Sequence, residues 1–520
     1  MTLFLNLTPR LEKTLADFFC VTTPIYYVNA RLHIGGAYTT IAADVLARFN
    51  RLKGNRVFFL TGSDEHGQKI LDTAKELNTD PKTLADQTVS QFKNLWSLLK
   101  ITNDDFVRTT EERHERAVKA LFAKILERGD IYKGTYDGLY CIPCERYLTK
   151  SQLEDGNCPV CAREPSALQE ENYFFRMSRY QNKILEHLER SPEFVQPQIR
   201  RNEVISRVRA GLEDVSVSRT SLTWGVKMPQ DEAHVIWVWF DALVNYLTGL
   251  GFPDDTENFR DFWPNTVHLV GKDIIWFHCV IWPCLLMAAG LPLPRKIFAH
   301  GWWTINGDKI SKSKGNVIYP EEIVAKYGLD PLRYFLLREI PFGSDGDFTY
   351  TALERRINSE LADGLGNLLA RTSAMVWKYF GGRVPARAGS TPLSEEAAGL
   401  FERIDSALEH LAFSNALEEI MNLVRRANRF VEESQPWVLA KHPNKDKLAQ
   451  VLASLLETLR LLSWALEPFI PDTGARIREQ LGVSESGKLK DLLQYGRLPE
   501  GAQLTKGEIL FKKAEVKSEK

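Results

Sequence analysis

Apolar residues follow two rhythms along this chain of 520 residues. Phe19 to Tyr27 (FCVTTPIYY) and Arg56 to Leu60 (RVFFL) are β-branched and aromatic runs, which predict buried strands. The turn VNARLHIGG follows the first run and opens an amphipathic helix over 37–52. The polar turn TGSDEHGQK follows the second and leads into another helix. Alternating strands and helices predict a doubly wound parallel sheet, an α/β architecture whose ligands lie at the carboxyl ends of the strands. Both polar turns occupy such ends. Over 117–225 the pattern loosens into short mixed segments, read as an insertion between the two halves of the sheet. The sheet is expected to resume near His234, with HLVG (268–271) and KIFAH (296–300) as strands, followed by the polar loop WWTINGDKISKSKGN. From Thr351 onward apolar residues recur at three- and four-residue steps, which predicts a helical bundle.

The chain is accordingly read as a leader (1–18), a first half of the α/β domain (19–116), the insertion (117–225), a second half (226–300), a lysine-loop region (301–350) and the helical part (351–520). Ile274 to Leu293 is apolar enough to raise the question of a membrane span. His278, Pro283 and Gly290 interrupt it, so a buried helix and no membrane association are expected.

Composition narrows the class. With 44% hydrophobic residues the chain has ample material for cores in roughly three to four domains, which excludes disorder and collagen-like repeats. Lys and Arg number 66 against 67 Asp and Glu, so any polyanionic partner must be met by a local basic face. Seven cysteines are too few for a secreted disulfide scaffold. The leader lacks an apolar signal core and carries Glu12 and Asp17, so a cytoplasmic location is expected. No further domain is read after the bundle, and a monomer is expected.

Three clusters carry candidate chemistry. Cys141-x2-Cys144 and Cys158-x2-Cys161, separated by 13 residues, have the spacing of two knuckles that close one tetrahedral zinc site. Reduced, unliganded pairs or two local disulfides meet the same spacing. Four thiolates would leave no open coordination position, which makes the metal structural. His33-Ile34-Gly35-Gly36 opens a helix after a strand, where backbone N–H groups and the helix dipole favour a phosphate. Taken alone, that histidine fits a structural role at least as well. Lys309, Lys312 and Lys314 lie in a loop bounded by Gly307 and Gly315, which suits either closure on a triphosphate or a plain solvated surface.

Together these motifs resemble the paired His-Ile-Gly-His and Lys-Met-Ser-Lys-Ser signatures of class I aminoacyl-tRNA synthetases. The surrounding words TTPIYYVN, TGSDEHGQKI, VWFDALVNYL, GKDIIWFH and AHGWW resemble the methionyl-tRNA synthetases in particular, over about residues 20–494. The resemblance implies a Rossmann-like catalytic domain with a zinc-containing insertion and a helical anticodon-binding domain. It implies joining of methionine to tRNA at the expense of ATP, with Mg2+ accompanying ATP. It carries methionine binding to Ile25, Tyr27, Asp64, Trp239, Ala242, Tyr246, Ile274 and His278. ATP contacts fall on His33, Gly35, Gly36, Asp273, Lys309 and Lys312, with His33, Lys309 and Lys312 as the catalytic groups. Recognition of the CAU anticodon falls on Asn367, Arg371 and Trp437.

The residues support chemical readings beside that name. Trp239, Ala242, Leu243 and Tyr246 share one helical face by spacing, and Ile274, Phe277 and His278 share another. Such walls suit a thioether side chain, although each stripe alone reads as plain core. Asp64 is placed to hold an α-ammonium group. Asn367 and Arg371 are one turn apart, and Trp437 follows Pro436 at a helix start, which offers an edge reader and a stacking plane for an unpaired base. Two positions depart from the family. Gly36 replaces the second signature histidine and shifts weight to the backbone N–H there, and Ile310 replaces methionine. A synthetase for another amino acid, or a tRNA-binding relative without catalysis, is the competing expectation.

Overall fold

The computed structural model describes residues 17–159, 161–310, 315–386 and 389–515. They divide into two compact units, one within 1–32 and 56–301, the other within 33–55 and 302–520.

The first unit is built on a parallel sheet. In spatial order its strands are Tyr26–Tyr27, Arg56–Asp64, Phe18–Thr22, Thr266–Gly271, Lys296–His300 and Val195–Gln196, with Asp105–Arg108 also paired to Arg56–Asp64. Every pairing is parallel. The strands are apolar because helices cover both faces: Cys20, Val21, Phe59, Leu60, Leu269 and Val270 are fully buried. The strand predicted over Arg56 to Leu60 continues through the polar Thr61, Gly62, Ser63 and Asp64, so Asp64 rides on a strand end.

Two differences from the sequence reading concern sheet membership. The strand Asp231–Ile236, expected to restart the main sheet near His234, pairs antiparallel with Ser218–Arg219 and Lys227–Met228 in a separate three-stranded sheet. Alternation identifies a strand and not its partner. Within 117–225, Val195–Gln196 supplies an edge strand of the main sheet, while Arg146–Leu148, Ile131–Cys141, Ser166–Phe175 and Val215–Ser216 form an antiparallel sheet of four. The apolar stretch from Ile274 breaks into a 3-10 turn, a π-helical turn Phe277–Ile281 and the α-helix Trp282–Ala289. No helix among the described residues is long and apolar enough to cross a membrane.

In the second unit the helix Ile34–Lys53 begins three residues before its predicted start and ends at Gly54, whose φ of 93° caps it. Its Asp44 accepts from Arg48 and from Arg333 of the helix Leu329–Arg338, each at 2.7 Å, fully buried with Arg333. The start of the lysine-loop region is a hairpin: Trp303–Ile305 and Asp308–Lys309 pair antiparallel across Asn306 and Gly307, which both have positive φ. That is the signature of a type I′ hairpin turn. The remaining helices include Asn367–Phe380, Phe413–Ser434, Pro436–Leu439 and Asp446–Ala465. The last is buried nearly throughout; its Glu457 pairs with Arg460 at 2.7 Å and accepts the backbone N–H groups of Gly496, Arg497 and Leu498.

Candidate active site

At the carboxyl edge of the parallel sheet, Tyr26 pairs with Ser63 and Tyr27 with Asp64. Gly62 is required there, because a Cβ would lie 2.1 Å from the Val107 carbonyl and 2.8 Å from Ile25 Cγ2. Asp64 is 3% exposed, and its Oδ1 has no hydrogen-bond partner. Burial, then the neighbouring Glu145 and Asp241 carboxylates, push its carboxyl well above the usual range. An unpartnered, buried carboxylate oxygen asks for a cation.

Glu145, absent from the residues predicted from sequence, belongs to the same cluster. It follows Cys144 in the first knuckle with φ of 49° and is completely buried. Tyr27 Oη donates to its Oε2 at 3.2 Å, and the Lys69 backbone N–H donates to its Oε1 at 3.1 Å, capping the helix Gln68–Glu76 from outside. This approach dictates Gly67, where a Cβ would stand 2.4 Å from Oε1. Burial pushes the Glu145 carboxyl up to about 7. The only sequence signal was its place beside a metal-spaced cysteine.

The aromatic residues close on this cluster through the knuckle. Trp239 stacks on Phe277 with centroids 3.6 Å apart, and its Nε1 donates to the Cys144 carbonyl at 3.1 Å. Trp237 Nε1 donates to the Glu145 carbonyl at 2.9 Å. His278 Nδ1 bonds the Ile274 carbonyl at 3.0 Å, so Nδ1 carries the proton and Nε2 accepts from Tyr246 Oη at 2.7 Å. Burial lowers His278 to about 4 and keeps it neutral. Ala242 is buried on Val238–Leu243, and Asp273 is exposed just past the strand Thr266–Gly271.

Beneath the turn that follows Asp64 lies a second network. Asp241 accepts from His66 Nδ1 at 2.7 Å and from His114 Nε2 at 2.8 Å, and His114 Nδ1 meets Thr248 Oγ1 at 3.0 Å. All of these side chains are buried. Although burial alone would raise Asp241, the two imidazoles hold it below the usual range; although burial alone would lower His66, Asp241 raises it.

The four knuckle sulfurs lie within 4.8 Å of one another. Cys141 and Cys161 are 3.4 Å apart and Cys144 and Cys158 4.0 Å, with all four free of disulfides. A tetrahedron with metal–sulfur bonds of about 2.3 Å has edges of about 3.8 Å, so the cluster fits a metal ion. Without a cation, burial pushes the Cys141 thiol up to about 12.

In the second unit His33 caps the helix Ile34–Lys53: Gly35 N–H donates to His33 Nδ1 at 3.0 Å, leaving the proton of the neutral ring on Nε2. Gly35 has no room for a Cβ, which would lie 2.7 Å from His33 Cε1. Gly36 N–H donates to the His33 carbonyl at 3.0 Å and Ile34 N–H to the Ile318 carbonyl at 3.1 Å. The backbone N–H at Gly36, expected to serve as a phosphate donor, is thus spent inside the helix. Lys309 is exposed with Nζ 4.0 Å from the centre of the Trp302 ring, while Lys312 lies outside the described residues. On the helical part, Arg371 stands 5.9 Å from the centre of the Trp437 ring and pairs with Glu432 at 2.8 Å. Trp437 is 40% exposed, and Asn367 is exposed one turn from Arg371.

Comparison with known proteins follows this geometry. The model of "tRNA synthetases class I (M)" matches residues 19–167 and 151–373, and that of the "Anticodon binding domain of methionyl tRNA ligase" matches 384–520. The methionine–tRNA ligase of Caldanaerobacter subterraneus subsp. tengcongensis is 50% identical over 96% of this chain and 80% of its own length. That of Thermotoga maritima is 44% identical over 96% and 81%. Among solved structures, Mycobacterium tuberculosis methionyl-tRNA synthetase bound by methionyl-adenylate superposes with a TM-score of 0.92 at 41% identity, over 95% of this chain and 100% of that one. Its free form gives 0.86 at 38% identity, over 96% and 98%. A parallel-sheet unit with an orphaned carboxylate at its carboxyl edge, matched by family models and relatives along nearly its whole length, places this chain in the methionyl-tRNA synthetase family of class I tRNA synthetases.

Proposed function

We propose that the chain is a methionine–tRNA ligase working in two steps. The carboxylate of methionine attacks the α-phosphate of ATP, giving methionyl-adenylate and pyrophosphate. The terminal ribose hydroxyl of tRNA(Met), initiator or elongator, then attacks the acyl carbon, and AMP leaves. No protein nucleophile is needed; catalysis rests on alignment and on stabilising charge at the phosphates.

In this reading Asp64 takes the α-ammonium group, while Ile25, Tyr27, Trp239, Ala242, Tyr246, Ile274 and His278 surround the thioether side chain. The neutral His278 and the hydroxyl of Tyr246 give that wall a fixed polarity across the working pH range. His33 donates from Nε2 to a phosphate oxygen, and Lys309 and Lys312 neutralise the departing pyrophosphate, with Gly35, Gly36 and Asp273 lining the nucleotide. ATP enters as its magnesium complex. One zinc ion per chain on Cys141, Cys144, Cys158 and Cys161 supplies a structural cross-link. Asn367, Arg371 and Trp437 read the CAU anticodon, and the enzyme acts as a cytoplasmic monomer.

The observation that carries the reading is the buried Asp64 Oδ1 without a partner, beside an aromatic and apolar wall: a seat for an ammonium group on an apolar side chain. ATP–pyrophosphate exchange with a panel of amino acids tests it, alongside aminoacylation of tRNA with and without an altered CAU. Exchange driven best by methionine and charging lost with the anticodon are expected. Preference for another amino acid, or exchange with none, would overturn it.

A further inference from the structure

Three buried arginines among the described residues have carboxylate partners. Arg219 pairs with Glu170, Arg333 with Asp44 and Arg460 with Glu457, each at 2.7 Å. Arg146, which is buried, departs from that pattern, and the half-buried Arg207 joins it. Both line one cavity of about 390 Å³ in the first unit, with Trp237, Trp276, Phe277 and Tyr147 among its walls. Arg146 is 8% exposed, and the Arg207 guanidinium lies 3.7 Å from the centre of the Trp276 ring. Neither reaches a carboxylate within 4.0 Å among the described residues.

The nearby acids are engaged elsewhere. Asp214 accepts from Tyr132 Oη, Ser178 N–H and Ser178 Oγ. Glu213 is exposed, and Glu203, one turn before Arg207, pairs with Arg200 at 2.9 Å. Burial first, and then the like charge of Arg146, depress Arg207 to about 10. Two guanidiniums without a carboxylate partner, lining one cavity whose size falls within the range of ligand pockets, suit an anion.

We propose that this cavity is a phosphate subsite in which Arg146 and Arg207 hold one phosphate group between them, supplied by the 3′ segment of tRNA or by a free phosphate ion. The RNA source rests on the ligase reading, and the walls favour it. Phe277 lines the cavity and stacks on Trp239, which the ligase reading assigns to the amino-acid pocket, so the two arginines lie beside the place an acceptor strand must reach. Arginine planes and aromatic rings are also the surfaces on which unpaired nucleotides stack.

The test uses the full-length enzyme and Arg207→Met, which keeps an apolar stem over Trp276 and removes the charge. Inorganic phosphate is the small probe, with potassium chloride at equal ionic strength as its control. Phosphate is expected to raise the melting temperature of the wild type above the chloride control and to lose that effect in the variant. For the RNA source, the KM for tRNA rises about tenfold and the log–log salt slope of tRNA binding shrinks by about 0.7, while ATP–pyrophosphate exchange is kept. Lost phosphate protection with an unchanged tRNA KM assigns the site to a free anion. Equal phosphate response together with an equal tRNA KM and slope overturns the proposal. If Arg207→Met does not fold, Arg207→Gln takes its place under the same readings, and phosphate protection equal to that of the wild type sinks the site. A wild type without exchange would defeat the ligase reading and leave the protection measurement to judge the cavity.

Discussion

Trp239 Nε1 donates to the backbone carbonyl of Cys144 at 3.1 Å, so the ring that stacks on Phe277 hangs from a member of the four-cysteine cluster. The next residue, Glu145, holds the Trp237 indole in the same way through its backbone carbonyl and accepts from Tyr27 Oη through its carboxylate. Stripping the metal with a chelator is therefore expected to raise the KM for methionine in ATP–pyrophosphate exchange about five- to tenfold, with a smaller change in kcat. Trp239→Phe, which loses the tether and spares the knuckle, should move KM in the same direction. A KM indifferent to both would separate the knuckle from the pocket.

His278 is held near about 4 by burial, below its unfolded value of about 6.5. A depressed histidine takes up its proton more readily when unfolded, so this term is complete above pH 6.5 and is lost as pH falls towards 4. Between pH 6.5 and 5 it amounts to about 2 kcal/mol. Urea unfolding at pH 7 and pH 5 should show that much less acid sensitivity in His278→Gln than in the wild type. Identical sensitivity in the two proteins would contradict the buried, neutral ring.

The Asp241 network carries the opposite sign. His66 is raised by Asp241 despite burial, so its contribution is full below about pH 6.5 and is lost as pH rises through the raised folded value. Asp241→Asn leaves two buried imidazoles without their carboxylate and should cost about 3 kcal/mol. Because Asp241 joins the turn after Asp64 to the helix bearing Trp239 and Ala242, the methionine KM should rise with it. Denaturation at pH 6 and pH 8.5 should show the wild type losing more of its margin over the variant at the higher pH.

Arg371 and Trp437 meet on the surface of the helical part, with Glu432 as the partner of Arg371. An exposed pair contributes at most about 1 kcal/mol, so Arg371→Ala should leave the melting temperature nearly unchanged. Its KM for tRNA should rise about tenfold, and Trp437→Ala should lose about 1–3 kcal/mol of stacking. Filter binding with cognate tRNA and with tRNA altered at CAU reads both. Equal losses on the two RNAs would mean that these residues touch only the backbone.

The sequence carried the parts whose chemistry is local. The gathering of Cys141, Cys144, Cys158 and Cys161 was legible because two short, fixed spacings bring four thiols together, and the strands because burial on both faces leaves apolar runs. Partners distant along the chain were not legible: Glu145 reaches Tyr27 from 118 positions away, and Asp241 reaches His66 from 175. The strand Asp231–Ile236 had the right alternation, but its sheet was decided by neighbours rather than by pattern. Asn306–Gly307 is a strong hairpin signal that the surrounding lysines obscured. The Gly36 N–H looked available in the sequence because helix starts leave donors open; the helix begins earlier and uses it.

The segment 33–55 belongs to one compact unit while the chain on either side of it belongs to the other. During synthesis on the ribosome, Asp44 must wait for Arg333, which emerges 289 residues later. At about 5–20 residues per second that delay is roughly 15–60 s. Throughout it, a nascent helix with an apolar flank stays without its long-range partner, Asp44 held by Arg48 alone, which makes this stretch a natural client for a chaperone.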